Sequence, residues 1–217
     1  MNNIKIDYII SDNYKDLINK NAYESIILKI MNDSKVVFRG LFKHNEIQSN
    51  NESDFESLLN GELIDAKTIF PQQQCQNLSL GRLEDFYKMI CMETNDIFDA
   101  IINSKDLTTT ILYKQIIVAF EKIDLNENVI LFIPFPFTLE LEDSISSRLS
   151  SDIFSQIIFR MKQSYYSFFE NHIIYFIYPN LENKIILKNV RTGDIEYLNS
   201  DIISKYIFVK YRSEGNE

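Results

Sequence analysis

Two stretches decide the fold: Val129-Ile130-Leu131-Phe132-Ile133, followed by Pro134, and His172-Ile173-Ile174-Tyr175-Phe176-Ile177-Tyr178, followed by Pro179. Each is a near-continuous apolar run of strand length, the pattern of strands buried on both faces. The prolines lack an N–H and stop the pairing. Between them, Ile145, Leu149, Ile153, Ile157 and Met161 recur every four residues, flanked by Phe154, Ile158, Tyr165, Phe168 and Phe169. That spacing predicts a long amphipathic helix over Ser144 to Asn171, capped by Asp143 or Ser144. Two apolar strands joined by a helix predict a right-handed βαβ crossover.

Working outward from this unit, Lys184 to Val190 and Ile195 to Leu198 read as a hairpin around Arg191-Thr192-Gly193-Asp194, and Tyr206 to Tyr211 as a last strand. Upstream, Thr108 to Lys122 reads as a helix with Leu112, Ile116, Ala119 and Phe120 on its apolar side. Arg82 to Asn103 reads as a helix with a stripe of Leu83, Phe86, Tyr87, Ile90, Ile97, Phe98 and Ile101. Ile4 to Ile10 reads as a strand. Ser25 to Met31 and Val36 to Phe42, separated by Asn32-Asp33-Ser34, read as a β-hairpin. His44 to Asn60 is polar, acidic and poor in apolar residues, and reads as a mobile loop. The expected fold is a single α+β (mixed α/β) domain over residues 1–217. Its mixed sheet carries N- and C-terminal β-hairpins and a central βαβ unit with long amphipathic helices, with a soft boundary at 71–81.

Composition narrows the function classes. A chain of 217 residues, 45% hydrophobic, is long enough to bury a substantial core. No stretch reaches the roughly 18–20 apolar residues of a membrane span, and the N-terminus lacks the apolar core of a signal peptide. The two cysteines, Cys75 and Cys91, match no zinc spacing and form no disulfide framework. These features predict a cytoplasmic protein with no membrane contact. Enrichment in Ile, Asn, Lys and Tyr suggests a bacterial or phage accessory protein.

The net charge of −9 is unevenly spread. One tract, His44 to Ala66, contains Glu46, Glu52, Asp54, Glu56, Glu62 and Asp65 with no Lys or Arg; another, Ile123 to Ser147, contains Asp124, Glu127, Glu140, Glu142 and Asp143 with none. Such tracts make nucleic acid an unlikely partner and favour a basic protein surface or a bound cation.

The five glycines are too scattered for a phosphate-binding loop. His44 and His172, the two histidines, lie in no recognisable nucleophile motif. Carboxylates are the remaining catalytic resource. Asp96 and Asp99 share a face of the Arg82 to Asn103 helix, with Asp85 further round, a candidate set for Mg²⁺ or another divalent cation. Glu182 and Lys184 form an acid-x-lysine pair of the kind metal-dependent nucleases use. Lys184, Lys188, Arg191, Lys205, Lys210 and Arg212, with Tyr197, Tyr206 and Tyr211 between them, offer a nucleic-acid surface, although neighbouring acids offset its charge.

The loop Pro134 to Asp143 follows the first buried strand at its carboxyl end, where open α/β sheets bind ligands. Phe135, Phe137, Glu140, Glu142 and Asp143 form its candidate partner-binding surface. The leading expectation is therefore a non-enzymatic acidic interaction protein, such as a subunit, inhibitor or immunity-type factor, without a cofactor. The alternatives are a divalent-metal-dependent hydrolase or nuclease, and a nucleic-acid-binding module through the C-terminal hairpins.

Overall fold

The computed structural model describes residues 4–10, 19–45, 53–69, 111–121, 127–133, 158–179, 184–199 and 207–213. Strand β1 (Ile4–Ile10) and strand β9 (Ile207–Ser213) pair antiparallel as a separate two-stranded sheet, from Ile4 opposite Ser213 to Ile10 opposite Ile207.

The main sheet has seven strands in sequence order: β2 (Phe42–His44), β3 (Phe55–Ser57), β4 (Leu63–Thr68), β5 (Asn128–Phe132), β6 (Ile174–Pro179), β7 (Lys184–Asn189) and β8 (Ile195–Asn199). It is mixed. β4, β5 and β6 run parallel in the centre, with Ala66 opposite Ile130 and Ile130 opposite Tyr175. β2 and β3 are antiparallel on one side, β7 and β8 on the other. Val129 to Ile133 and Ile174 to Pro179 are all buried, as continuous apolar runs require.

A polar staple aligns the start of the parallel strands. Asn128 donates from Nδ2 to Glu62 Oε1 (2.6 Å) and accepts at Oδ1 from the Ile173 N–H (2.7 Å). The β7–β8 connection turns at Gly193, where φ is +79°. Asn189 Oδ1 accepts there from the N–H groups of Arg191 (2.9 Å) and Thr192 (3.1 Å).

Three helices have described bounds: α1 (Lys20–Asp33), α2 (Ile111–Phe120) and α3 (Tyr166–Asn171). Residues 158–164 are helical too, separated from α3 by a bend at Tyr165. α2 meets this region through Phe120, whose ring lies 4.6 Å from Tyr165 and 5.0 Å from Phe168. The helix expected over Ser144 to Asn171 is thus helical from 158 and broken at Tyr165; residues 144–157 lie outside the described residues. The same holds for the helix expected over Arg82 to Asn103 and for the 71–81 boundary. No described helix is long and apolar enough to cross a membrane.

The expected N-terminal hairpin is wrong. Its first strand is the body of α1, and its turn is the end of that helix. Asn19 caps the start, accepting from the Asn21 N–H at 3.1 Å. Ile26, Ile27, Ile30 and Met31 form a buried stripe at helical spacing. Three β-branched isoleucines, Ile26, Ile27 and Ile30, made the run resemble a strand, but core burial of a 3.6-period stripe outweighs that propensity. The Ser34 N–H then bonds the carbonyls of Ile30 (3.1 Å) and Met31 (3.2 Å) and closes the helix. In place of a second hairpin strand, residues 35–41 are irregular and β2 starts at Phe42. Glu196 on β8 holds this segment: its carboxylate accepts from the Ser34 hydroxyl and from the N–H groups of Lys35 (2.9 Å), Val36 (3.0 Å) and Val37 (3.1 Å).

The mobile loop expected over His44 to Asn60 is also corrected. It contains β3, and Ser53, Asp54, Phe55 and Ser57 are buried.

Candidate functional site

Three of the buried polar residues are acids that the fold draws together: Glu24 on α1, Asp54 immediately before β3, and Asp65 on β4. Each arrives by a simple device. Glu24 lies one turn after Lys20 on the helix, beside the apolar stripe. Asp54 is anchored by its Oδ2, which accepts from the Ala66 N–H at 2.9 Å. Asp65 and Lys67 are two apart on one strand and so share a face. Lys67 Nζ lies 2.7 Å and 3.0 Å from the two oxygens of Asp65.

Asp54 and Asp65 are also near enough for each to perturb the other's titration. Two neighbouring carboxyl groups titrate as a pair, because the charge on one disfavours the charge on the other. Burial pushes Asp65 up to about 6, and the neighbouring Asp54 adds to it while Lys67 opposes. For Asp54 burial also acts upward, but Asp65, the Ala66 N–H and Lys20 prevail and hold it below the ordinary carboxylate range. Glu24 is pushed up to about 7, first by burial and then by the neighbouring Asp54 charge.

Lys20 completes the cluster. Its Nζ is 3.0 Å from Asp54 Oδ1 and 3.3 Å from Glu24 Oε1. The buried Glu24 Oε1 meets Lys20 as an ion pair rather than through a well-aligned hydrogen bond. Ser53 Oγ and Thr68 Oγ1, adjacent in sequence to Asp54 and Lys67, are buried and unsatisfied. Orphaned buried polar atoms are uncommon in folded proteins, and one standard reason for them is a bound ion or water.

The cluster is not a finished metal cage. Among the described residues, no three His, Cys, Asp or Glu side chains lie so that they could hold a metal ion as they stand. The ammonium groups of Lys20 and Lys67 face the acids instead. A divalent cation would have to take over that balancing, and the all-oxygen set suits a hard ion such as Mg²⁺ or Mn²⁺.

The sequence-predicted sites fall elsewhere. Phe135, Phe137, Glu140, Glu142 and Asp143 lie outside the described residues, as do Asp85, Asp96 and Asp99. Of the acid-x-lysine pair, Lys184 is half-buried on β7 and Glu182 is outside. The proposed nucleic-acid surface is divided between sheets: Lys184, Lys188 and Tyr197 belong to the seven-stranded sheet, Lys210, Tyr211 and Arg212 to the β1–β9 pair. His172 ends α3, donating its N–H to the Phe168 carbonyl at 2.8 Å, a structural role. Sequence reading missed Glu24, Asp54, Asp65 and Lys67 as a group. One signal was present: Asp65-Ala66-Lys67 is an acid-x-lysine pair in a stretch of strand propensity, where Asp and Lys are otherwise depleted. Comparison of the chain with protein-family models, curated proteins and solved structures returned no match.

Proposed function

We propose that this protein is a divalent-metal-dependent hydrolase of phosphodiesters, in which Asp54, Asp65 and Glu24, which do not form a metal-holding group as they stand, would become ligands once Lys20 gives way, with Lys67 as the cationic partner of the substrate. One observation supports the reading: three buried carboxyl groups, from α1, the residue before β3, and β4, lie beside two lysines, with Lys20 reaching Glu24 and Asp54 and Lys67 reaching Asp65. Burying that much charge costs stability, and proteins keep such clusters where they serve chemistry.

The bound ion would supply a Lewis acid and lower the pKa of a water ligand. This chain's residues then have separate tasks. Asp54 is fixed by the Ala66 N–H and presents its other oxygen. Asp65 would offer a second ligand, and its two oxygens hold Lys67 at 2.7 Å and 3.0 Å. Lys67 is a compact positive charge that complements a phosphate oxygen in the transition state. Hard oxygen ligands with an adjacent lysine favour phosphoryl over acyl chemistry. Nucleic acid is the polymeric form of such a substrate, although the net charge of −9 argues against an extended grip on a long polyanion.

The test is hydrolysis of an activated phosphodiester and of single- and double-stranded DNA and RNA, with Mg²⁺ or Mn²⁺. Activity should disappear with chelator and with Asp65→Asn, and drop with Lys67→Met. Metal-independent turnover, or turnover retained by Asp65→Asn, would sink the proposal.

The acidic tracts of the sequence favour a second reading, in which the Pro134 to Asp143 loop docks a basic protein. A pull-down with charges reversed at Glu140, Glu142 and Asp143 tests it, and capture indifferent to those charges would count against it. That loop would leave the crossover unit beyond β5, whose described end at Ile133 adjoins Ile177 of β6, with the Ile133 N–H bonded to the Ile177 carbonyl at 2.8 Å.

A further inference from the structure

We infer that a cavity of about 370 Å³ beside Tyr175 is a second site, which binds a free amino acid with an apolar side chain, its carboxylate at Arg39 and its ammonium at Asp194 and Glu62. It shares no residue with the acidic cluster and does not rest on the metal-site reading.

Three connections meet at this cavity. Residues 35–41 bridge the two edge strands of the seven-stranded sheet: Glu196 of β8 holds the N–H groups of Lys35, Val36 and Val37, and β2 starts at Phe42. Phe38 and Arg39 of this bridge line the cavity. The β3–β4 connection brings Leu59 and Glu62 to it, and the β7–β8 turn brings Asp194. Each segment is fixed by its own bonds. The Leu58 N–H bonds the Leu41 carbonyl at 2.8 Å, and Asn189 Oδ1 holds the Arg191 and Thr192 N–H groups. The cavity is therefore pre-formed, as small-molecule sites usually are.

The chemistry of the lining selects the guest. Phe38 and Tyr175 are only 2% and 5% exposed, with ring centroids 4.5 Å apart, and give the cavity an aromatic floor. An apolar group placed there leaves water. Opposite charges face the same space. The Arg39 guanidinium is oriented by its Nε, which donates to the Val36 carbonyl at 2.9 Å. Asp194 Oδ2 accepts from the Thr192 hydroxyl at 2.8 Å, and Glu62 Oε1 from Asn128 at 2.6 Å. Among the described residues Arg39 forms an ion pair with neither acid, although all three line one cavity. A guest with one anion and one cation complements both ends at once, which a simple anion or cation does not. Burial, and then the Glu62 charge, hold the Tyr175 hydroxyl above its usual range, so it stays neutral and able to donate. The volume is near the lower end of the roughly 300–1,000 Å³ of small-molecule pockets, which suits a single amino acid better than a large cofactor.

The experiment is calorimetric titration into the full chain with chelator present, which takes metal out of the readout. The probes are leucine, phenylalanine, glycine, leucinamide and N-acetylleucine. Leucinamide lacks the carboxylate and N-acetylleucine the ammonium, so they also stand for the two ends of a peptide. Leucine or phenylalanine should bind saturably at or below millimolar concentration. The other three should bind at least tenfold more weakly, having lost a charge-assisted contact or the buried side chain. Arg39→Met, at an exposed position, and Asp194→Asn should each weaken binding tenfold or more. Lys35→Met removes a neighbouring exposed charge that does not line the cavity and should bind like the parent. No saturable binding of leucine or phenylalanine, equally tight binding of leucinamide or N-acetylleucine, or parent-like binding by Arg39→Met overturns the assignment. Mn²⁺ binding is independent of all these outcomes, so the two sites stand or fall separately.

Discussion

Replacing Glu24 by glutamine keeps the side chain's shape and removes its charge, and the structure gives a signed, pH-dependent expectation for stability. Burial, reinforced by Asp54, raises the Glu24 carboxyl from 4.5 to about 7 in the folded protein. A tenfold change in a protonation equilibrium is about 1.4 kcal/mol, so carrying Glu24 as an anion above pH 7 costs the folded state up to about 3 kcal/mol. The folded protein holds a proton that the unfolded chain releases between pH 4.5 and 7, so the stabilising contribution is complete below pH 4.5 and lost as pH rises through 7. Glutamine does not titrate, and its amide can donate to Asp54. In metal-free buffer with chelator at pH 8, Glu24→Gln should be more stable than the parent by about 1–3 kcal/mol, or a few degrees in Tm for a chain of this size. Near pH 4.5 the difference should vanish. Urea unfolding at both pH values reads this directly. A variant that is less stable than the parent at pH 8 would refute the reasoning, because Glu24 would then be a net-favourable partner of Lys20. The same substitution should weaken metal binding, separating stability from function as expected of a functional buried charge.

Metal affinity should fall as pH drops below about 7 and then below about 6, where Glu24 and Asp65 take up protons; Mn²⁺ titrations at pH 8 and pH 5.5 check this, and equal affinities would contradict it. Glu196→Ala removes the acceptor for three consecutive N–H groups and the Ser34 hydroxyl, and should destabilise by about 2–3 kcal/mol in urea unfolding. Burial acts upward on the Glu196 pKa, but those bonds hold it below the usual range, so in the parent this contribution is present at neutral pH and lost as pH falls through the acid range. Gly193→Ala places a side chain at φ +79° in open space and should cost about 1 kcal/mol from backbone strain alone, without altering metal binding.

The parts of the fold legible in the sequence are those where one signal dominates. Val129 to Ile133 and the run ending at Tyr178 had no reading other than buried strands, and they lie side by side, parallel, in the sheet centre. Gly193 between two apolar runs marked the β7–β8 connection. Where two signals competed, the reading went astray. Ser25 to Met31 satisfies both a period of two and a period of 3.6, and its isoleucines tilted the choice toward strand; Asn19, six residues upstream, held the deciding cap. The site itself was hidden for a different reason. Glu24, Asp54 and Asp65 are acids in polar or acidic surroundings, and acids in such tracts read as solvent-exposed. Only the pairing of β3 with β4 and the packing of α1 turn them into buried neighbours, and that long-range geometry has no local signature. Asp65-Ala66-Lys67 carried the same spacing as Glu182 and Lys184, but nothing in the sequence ranked one pair above the other.

The most direct test of the central claim is calorimetric titration of Mn²⁺ into the parent chain and into Asp54→Asn/Asp65→Asn at pH 8. Saturable binding by the parent at or below millimolar metal, lost in the double variant while its unfolding remains cooperative, is the predicted result. No binding by the parent, or the same binding by both, would contradict the assignment of these carboxylates as a metal site.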